Sequence, residues 1–439
     1  MSIKKTLLMT VVGLGFSAGI AAAESHATTI TIATVNNGDM IRMQGLTDEF
    51  TAANPGISVE WVTLEENVLR QNVTTDISTG GGAYDVMTIG TYEVPIWGKN
   101  GWLVPLDSGM ADDWDAADLL PAISGGLTID GKLYAAPFYG ESSMVMYRTD
   151  LMEKAGLEMP DAPTWTFIRE AAAAMTDRDN EINGICARGK AGWGENMAFL
   201  TAMSNSFGAR WFDEEWNAQF DTQPWADTLN FYLEMMKESG PNGAANNGFN
   251  ENLTLFQQGK CGMWIDATVA ASFVTGADST VADKVGFALA PDNGLGPRGN
   301  WLWAWSLAIP TSSEKQDAAK TFVSWATSKG YTELVAGNEG WANVPPGTRT
   351  SLYENQEYLD AAPFAAMTLQ SINSADPTNP TVDPVPYTGV QFVAIPEFAG
   401  IATQVGQQFS DALAGNQTAE QALENAQELT VEEMEAAGY

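Results

Sequence analysis

Histidine is almost absent: the 439 residues hold one, His26. It stands just past the expected leader cleavage site after Ala23, where chain ends are commonly mobile. A lone imidazole there excludes a Ser-His-Asp triad, a Cys-His pair and a histidine metal site. G-x-S-x-G nucleophile elbows and Walker-type phosphate loops are missing as well. Thr79-Gly80-Gly81-Gly82 lacks the G-x-G-x-x-G spacing and reads as a helix end, with Gly80 as the stop. The stretch Asp177 to Gly184 resembles a calcium loop only faintly. It carries Ile182 where such a loop requires glycine, and reads as a polar turn. No metal and no cofactor are expected.

Basic residues are scarce. Lys and Arg total 21 against 55 Asp and Glu, a net charge of −34. Such a chain repels phosphate backbones and anionic lipid, so no nucleic-acid partner and no membrane docking are expected. A membrane span needs about 20 apolar residues, and no stretch after the N-terminus supplies them. Residues 1–23 read as a secretory leader. Lys4 and Lys5 form its basic start, and Thr6 to Ile20 form an apolar stretch broken by Gly13, Gly15, Ser17 and Gly19. Ala21-Ala22-Ala23 offers the small residues that precede cleavage. The competing reading, an uncleaved anchor, conflicts with that short, small-residue-rich stretch. No cysteine sits at the cleavage site, so a lipid anchor is not indicated and the expected location is the periplasm.

Cysteine is nearly as rare, with Cys186 and Cys261 alone. In an oxidising compartment the pair is expected as a disulfide, the alternative being two buried thiols acting as small hydrophobes.

What is present is ordinary globular composition, 45% hydrophobic, in a chain longer than one core usually fills. Two domains are therefore expected. Strands alternate with helices. Thr28–Val35, Ile57–Thr63 and Tyr84–Ile89 read as strands, with helices over 39–53 and 65–78 between them. That order predicts a parallel, doubly wound α/β sheet, with contact loops at 36–39, 64–66 and 90–92, beyond the carboxyl ends of the strands. Further strands are expected at 133–137, 143–147, 183–188, 259–265, 285–290 and 305–309. Residues 138–141 are a candidate crossing between lobes. Ser313, Thr418 and Thr430 each open a capping-box pattern for a following helix.

Taken in order, several stretches resemble the extracellular solute-binding proteins of carbohydrate ABC importers. They are Tyr84-Asp85-Val86, Gly101-Trp102-Leu103-Val104-Pro105-Leu106-Asp107, Tyr147-Arg148-Thr149-Asp150-Leu151 leading into Lys154-Ala155-Gly156-Leu157, and Thr164-Trp165. Further on come Phe256-Gln257-Gln258-Gly259-Lys260, Trp305 to Pro310 and Leu413 to Leu423. Cys186 to Met197 and Cys261 to Thr268 are similar to the subgroup that binds mannitol and glucitol. The resemblance implies a two-lobed periplasmic-binding-protein fold, each lobe a doubly wound, mostly parallel sheet, with extra C-terminal helices. It places lobe one at 24–141 plus 266–310 and lobe two at 142–265 plus 311–439. Both cysteines then share a lobe, where a disulfide would leave the hinge free. It also implies a monomer that hands a polyol or sugar to a membrane permease, without catalysis.

An uncharged polyol needs buried hydrogen-bonding groups for its hydroxyls and flat apolar faces for its C–H groups. Candidate faces are Trp303 and Trp305, which alternation sends to the same side as Trp301, together with Trp193, Trp264 and Trp341. Trp61 and Trp325 read as core. Candidate polar contacts are Asn37, Asp39, Glu66, Glu141, Arg188, Asn196, Asp266 and Arg349. Competing readings are a helix N-cap for Asp39, a mutual ion pair for Arg188 and Asp266, and a solvated loop for Arg349. A binding protein for a mono- or oligosaccharide, a polyamine receptor and a secreted two-carboxylate glycosidase remain alternatives.

Overall fold

The computed structural model describes residues 27–296 and 298–439. The expected leader and His26 lie outside them. The described residues form eleven strands: β1 Thr28–Val35, β2 Ile57–Leu64, β3 Val86–Ile89, β4 Thr128–Ile129, β5 Lys132–Leu133, β6 Ala136–Glu141, β7 Ser143–Arg148, β8 Asn183–Cys186, β9 Cys261–Ala267, β10 Val285–Leu289 and β11 Trp303–Ala308. Nine of them build a five-stranded sheet in the order β2-β1-β3-β11-β6 and a four-stranded sheet in the order β10-β7-β9-β8, and β4 and β5 pair as a small hairpin. Each sheet with its helices makes one lobe. The two-lobed α/β architecture is as expected.

The first lobe shows why these residues form these elements. Alternation in β1 buries Ile30 and Ile32 completely. The following helices, Gly38–Gly45 and Thr47–Ala53, break at Leu46 where one helix was expected. Helix Glu66–Thr79 buries Leu69, Val73 and Ile77, spaced by four, toward the core. Its first turn is closed by the Glu65 carboxylate, which accepts from Asn67 N. Its end is Gly80, at φ 63°, a conformation that costs glycine little.

Three expectations need correction. The sheets are mixed: β2-β1-β3 is parallel, but β11 runs antiparallel to both neighbours, and β7 runs antiparallel to β9 and β10. The crossing strands leave one lobe and enter the other, so they meet each parallel set from the opposite direction. The lobe boundaries also shift. β10 lies within 266–310 yet extends the second sheet, covering the free edge of β7. Helix Gln316–Ala326 lies within 311–439 yet packs on the first lobe. There Phe322 meets Phe50 and Trp61 with ring centroids 5.1 and 5.7 Å apart, and Trp325 meets Phe50 at 5.3 Å. The terminal helices Phe398–Leu413 and Ala419–Ala437 do cover the second lobe, against helix Gln223–Ser239. Finally, Thr430 caps nothing. It sits inside the last helix and donates to Ala426 O, while Ser313 donates to Asp85 instead of closing a capping box.

Cys186 and Cys261 are bonded, with Cα atoms 5.8 Å apart, and they link β8 to β9 inside the second lobe. The bridge spans 75 residues. Closing a loop of that length in the unfolded chain is worth about 4 kcal/mol in the chain-entropy account, and native bridges typically deliver 2–4 kcal/mol. Cys186→Ala with Cys261→Ala is expected to lower the urea unfolding midpoint by about that much free energy. A midpoint within experimental error of the parent would refute it.

Candidate functional site

Both lobes contribute to one narrow cavity. The first lobe supplies Glu66 and Arg70 from one helix face, Glu141 from the end of β6, and Trp301, Trp303 and Trp305 from β11 and the residues before it. The second supplies Arg188, just past β8, and Trp193, Gly194 and Ala198 from the turn and helix that follow; Gln391 completes the lining. Glu66 and Arg70 come together because residues four apart share a helix face.

The aromatic wall is built by alternation on β11. Trp303 and Trp305 lie edge to face, centroids 5.5 Å apart, and Trp193 reaches across to Trp303 at 5.7 Å. Gly90, in the loop after β3, leaves the space that the Trp303 ring fills; a Cβ there would overlap it. Gln391 holds the approach to β11, accepting from Leu302 N at 3.2 Å and donating to Leu302 O at 2.9 Å. The indole Nε1 atoms of Trp301 and Trp303 are buried without a partner among the described residues.

The charges are arranged around this wall. Arg188 forms a two-bonded pair with Asp266, at 2.8 and 2.6 Å, and donates to Gly194 O at 2.7 Å. Burial works against the Arg188 charge, but Asp266 outweighs it and holds the guanidinium above its usual range. Arg70 donates to Glu66 and, at 2.7 Å, to Glu93. The Glu141 carboxylate has no hydrogen-bond partner among the described residues. Burial pushes it well above the usual carboxylate range; Arg188 opposes that rise while Asp266, Glu66 and Asp39 add to it. The cavity thus offers unmatched donors from two indoles and an unmatched acid group, set among apolar ring faces. That set suits hydroxyl groups, which both accept and donate.

Of the residues singled out in the sequence, Glu66, Glu141, Arg188, Trp193, Trp303 and Trp305 line this cavity. Asp266 stands behind Arg188, fully buried. Asn37 caps the helix after β1, accepting from Met40 N at 3.3 Å, and donates to the Tyr139 hydroxyl. It fills the capping role considered for Asp39. Asp39 pairs with Arg42, and burial pushes its pKa up to about 6 against that pull. Four residues are corrected. Trp264 is core: it packs on Phe249 and Phe256 and donates to Asp266 at 3.1 Å. Asn196 is a brace, accepting from Gly192 N and donating to Gly406 O at 2.8 Å. Arg349 is buried and donates to the carbonyls of Trp114 and Thr327, both at 2.8 Å, and of Asp115 at 3.0 Å. Trp341 joins it along a separate cavity with Lys329 and Leu352.

Arg70, Gly194, Ala198 and Gln391 line the cavity without having been singled out in the sequence. For Arg70 a signal existed, the Glu66-to-Arg70 spacing on the helix after β2. No group of three or more metal-ligating side chains occurs among the described residues, and no described helix is long and apolar enough to cross a membrane.

The profile of the family described as bacterial extracellular solute-binding protein matches residues 37–333. A mannitol-binding protein of Pseudomonas aeruginosa is 55% identical over 414 residues, 94% of each chain. An ABC transporter solute-binding protein of Agrobacterium vitis S4, crystallised with bound D-mannitol, is 72% identical with a TM-score of 0.93, over 94% of this chain and 100% of that one. A ribitol complex from Agrobacterium radiobacter K84 shares the fold at 23% identity, TM-score 0.80, over 92% of this chain and 98% of that one. The chain belongs to the bacterial extracellular solute-binding protein family.

Proposed function

We propose that the interlobe cavity binds a linear hexitol of the mannitol type and that the protein delivers it to the permease of an ABC importer. The observation that carries this reading is the cavity itself: buried indole faces with unmatched N–H donors, beside an unmatched Glu141 paired in register with Trp303. The likeness to proteins whose names carry mannitol supports the same ligand class. The cavity draws on both lobes, so ligand favours the closed arrangement through contacts made only there, as in hinge closure generally. Delivery requires a periplasmic protein freed of residues 1–23. It requires no turnover, and no cleavage of aryl glycosides is expected.

The test is a titration of tryptophan fluorescence with mannitol, glucitol, arabitol and maltose, paired with thermal melts. A saturable signal and a raised melting point with a hexitol are expected, because a ligand that binds only the folded state stabilises it. A response to maltose alone would overturn the assignment.

A further inference from the structure

Three indoles meet around one charge. The Arg70 Cζ atom lies 3.9 Å from the ring centroid of Trp193, 4.7 Å from that of Trp305 and 5.0 Å from that of Trp303. The rings are steeply inclined, 69° between Trp193 and Trp303 and 81° between Trp303 and Trp305. They form the walls of a box, not a stack. Carboxylates close it: Glu66 and Glu93 bond to the guanidinium, and Glu141 lines the same cavity. Aromatic faces backed by carboxylates are what an organic cation, above all a quaternary ammonium, is bound by. Here the chain places its own cation inside.

We infer that Arg70 is a specificity-determining residue that fills an aromatic box suited to organic cations and so restricts the cavity to uncharged ligands. The inference rests on the reading of this cavity as the ligand site. The two carboxylates nearest the box centre, Glu66 and Glu93, are already engaged by the guanidinium. Glu66 Oε1 accepts from Arg70 Nε and Nη2 at 3.0 and 2.8 Å. Glu93 accepts from Arg70 at 2.7 Å and from Gly90 N at 2.9 Å. A second cation would meet a like charge held by three rings and two acids. A guanidinium also stacks on flat rings in a way an ammonium does not.

Tetramethylammonium and mannitol are titrated separately into the parent protein, Arg70→Ala and Arg70→Lys, with calorimetric and fluorescence readouts. The parent and Arg70→Lys are expected to ignore tetramethylammonium. Arg70→Ala is expected to bind it at least about tenfold more tightly than the parent, and methylguanidinium is expected to compete for the vacated box. Should Arg70→Ala not fold, Arg70→Ala with Glu93→Gln removes the buried one of the two carboxylates left unpaired and is measured in the same way. A folded variant without Arg70 that is as indifferent to tetramethylammonium as the parent overturns the inference. So does a parent protein that binds tetramethylammonium. Failure of the parent to bind mannitol would sink the polyol reading alone, because the cation arm is read independently.

Discussion

Gly194→Ala is expected to weaken ligand binding roughly 5- to 150-fold while leaving the melting temperature of the ligand-free protein unchanged. A Cβ at Gly194 would run into Glu66 Oε1 and lie 2.8 Å from Arg70 Nε. Those atoms belong to the first lobe and Gly194 to the second, so the clash exists only when the lobes are together. Side-chain ends usually swing aside cheaply, but these are pinned. Glu66 is bonded to Arg70, and Arg70 is bonded to Glu93 and stacked on Trp193. Overpacking of this kind costs roughly 1–3 kcal/mol, which is roughly 5- to 150-fold in Kd. Gly194 is outside the left-handed region, so alanine brings no backbone strain of its own. Calorimetric titration with mannitol, beside a thermal melt without ligand, checks both halves. Unchanged affinity would refute the steric argument, and a large fall in the melting point would relocate it to folding.

Asp266→Ala is expected to be the most damaging substitution for stability, at about 3–5 kcal/mol. Asp266 is fully buried and matches Arg188 with two charge-assisted bonds while accepting a third from Trp264 Nε1. Alanine would leave the guanidinium buried with its Gly194 carbonyl bond and with Glu195 at 3.6 Å as the remaining charge partner. A charge stripped of its partner in the interior costs far more than the intact pair contributes. Replacing both, as Arg188→Met with Asp266→Leu, is expected to recover much of the stability without recovering ligand binding. Urea unfolding followed by circular dichroism measures both variants. A double variant as unstable as Asp266→Ala would show that the pair's geometry, and not the orphaned charge, carries the effect.

Local signals in the sequence were dependable where the element depends on its own residues. The strands at β1 and β2, the helix after β2 and its Gly80 stop all stand where the sequence places them. So does the shared face of Trp303 and Trp305, because period two is a property of any strand, and Trp301, just before β11, lines the same cavity. What failed was set by partners distant along the chain. Arg349 looked like a loop residue available to ligand. Its carbonyl partners at Trp114 and Asp115 lie more than 230 positions away, and nothing near Arg349 announces them. Helix Gln316–Ala326 was assigned to the wrong lobe for the same reason, since the surface it covers is made by Phe50 and Trp61. Thr430 shows the limit of a short motif. Its capping pattern is satisfied in letters, yet the helix had already begun at Ala419. Arg70 was passed over because its meaning comes from Trp193, which reaches it from the other lobe.

One residue, Ser142, separates β6 from β7, which belong to different sheets. Its backbone is fastened to Thr268, whose hydroxyl accepts from Ser142 N at 3.2 Å and whose N–H donates to Ser142 O at 2.7 Å. The two strands are therefore locked in phase. Side chains alternate with a period of two, so inserting a single residue beside Ser142 would turn every side chain of β7 to the opposite side of its sheet. Fully buried Met144 and Met146 would exchange sides with Val145 and Tyr147, although no cavity residue had been touched. The joint sets the parity with which one lobe is written onto the other, and chain length at this point is as constrained as any side chain in the cavity.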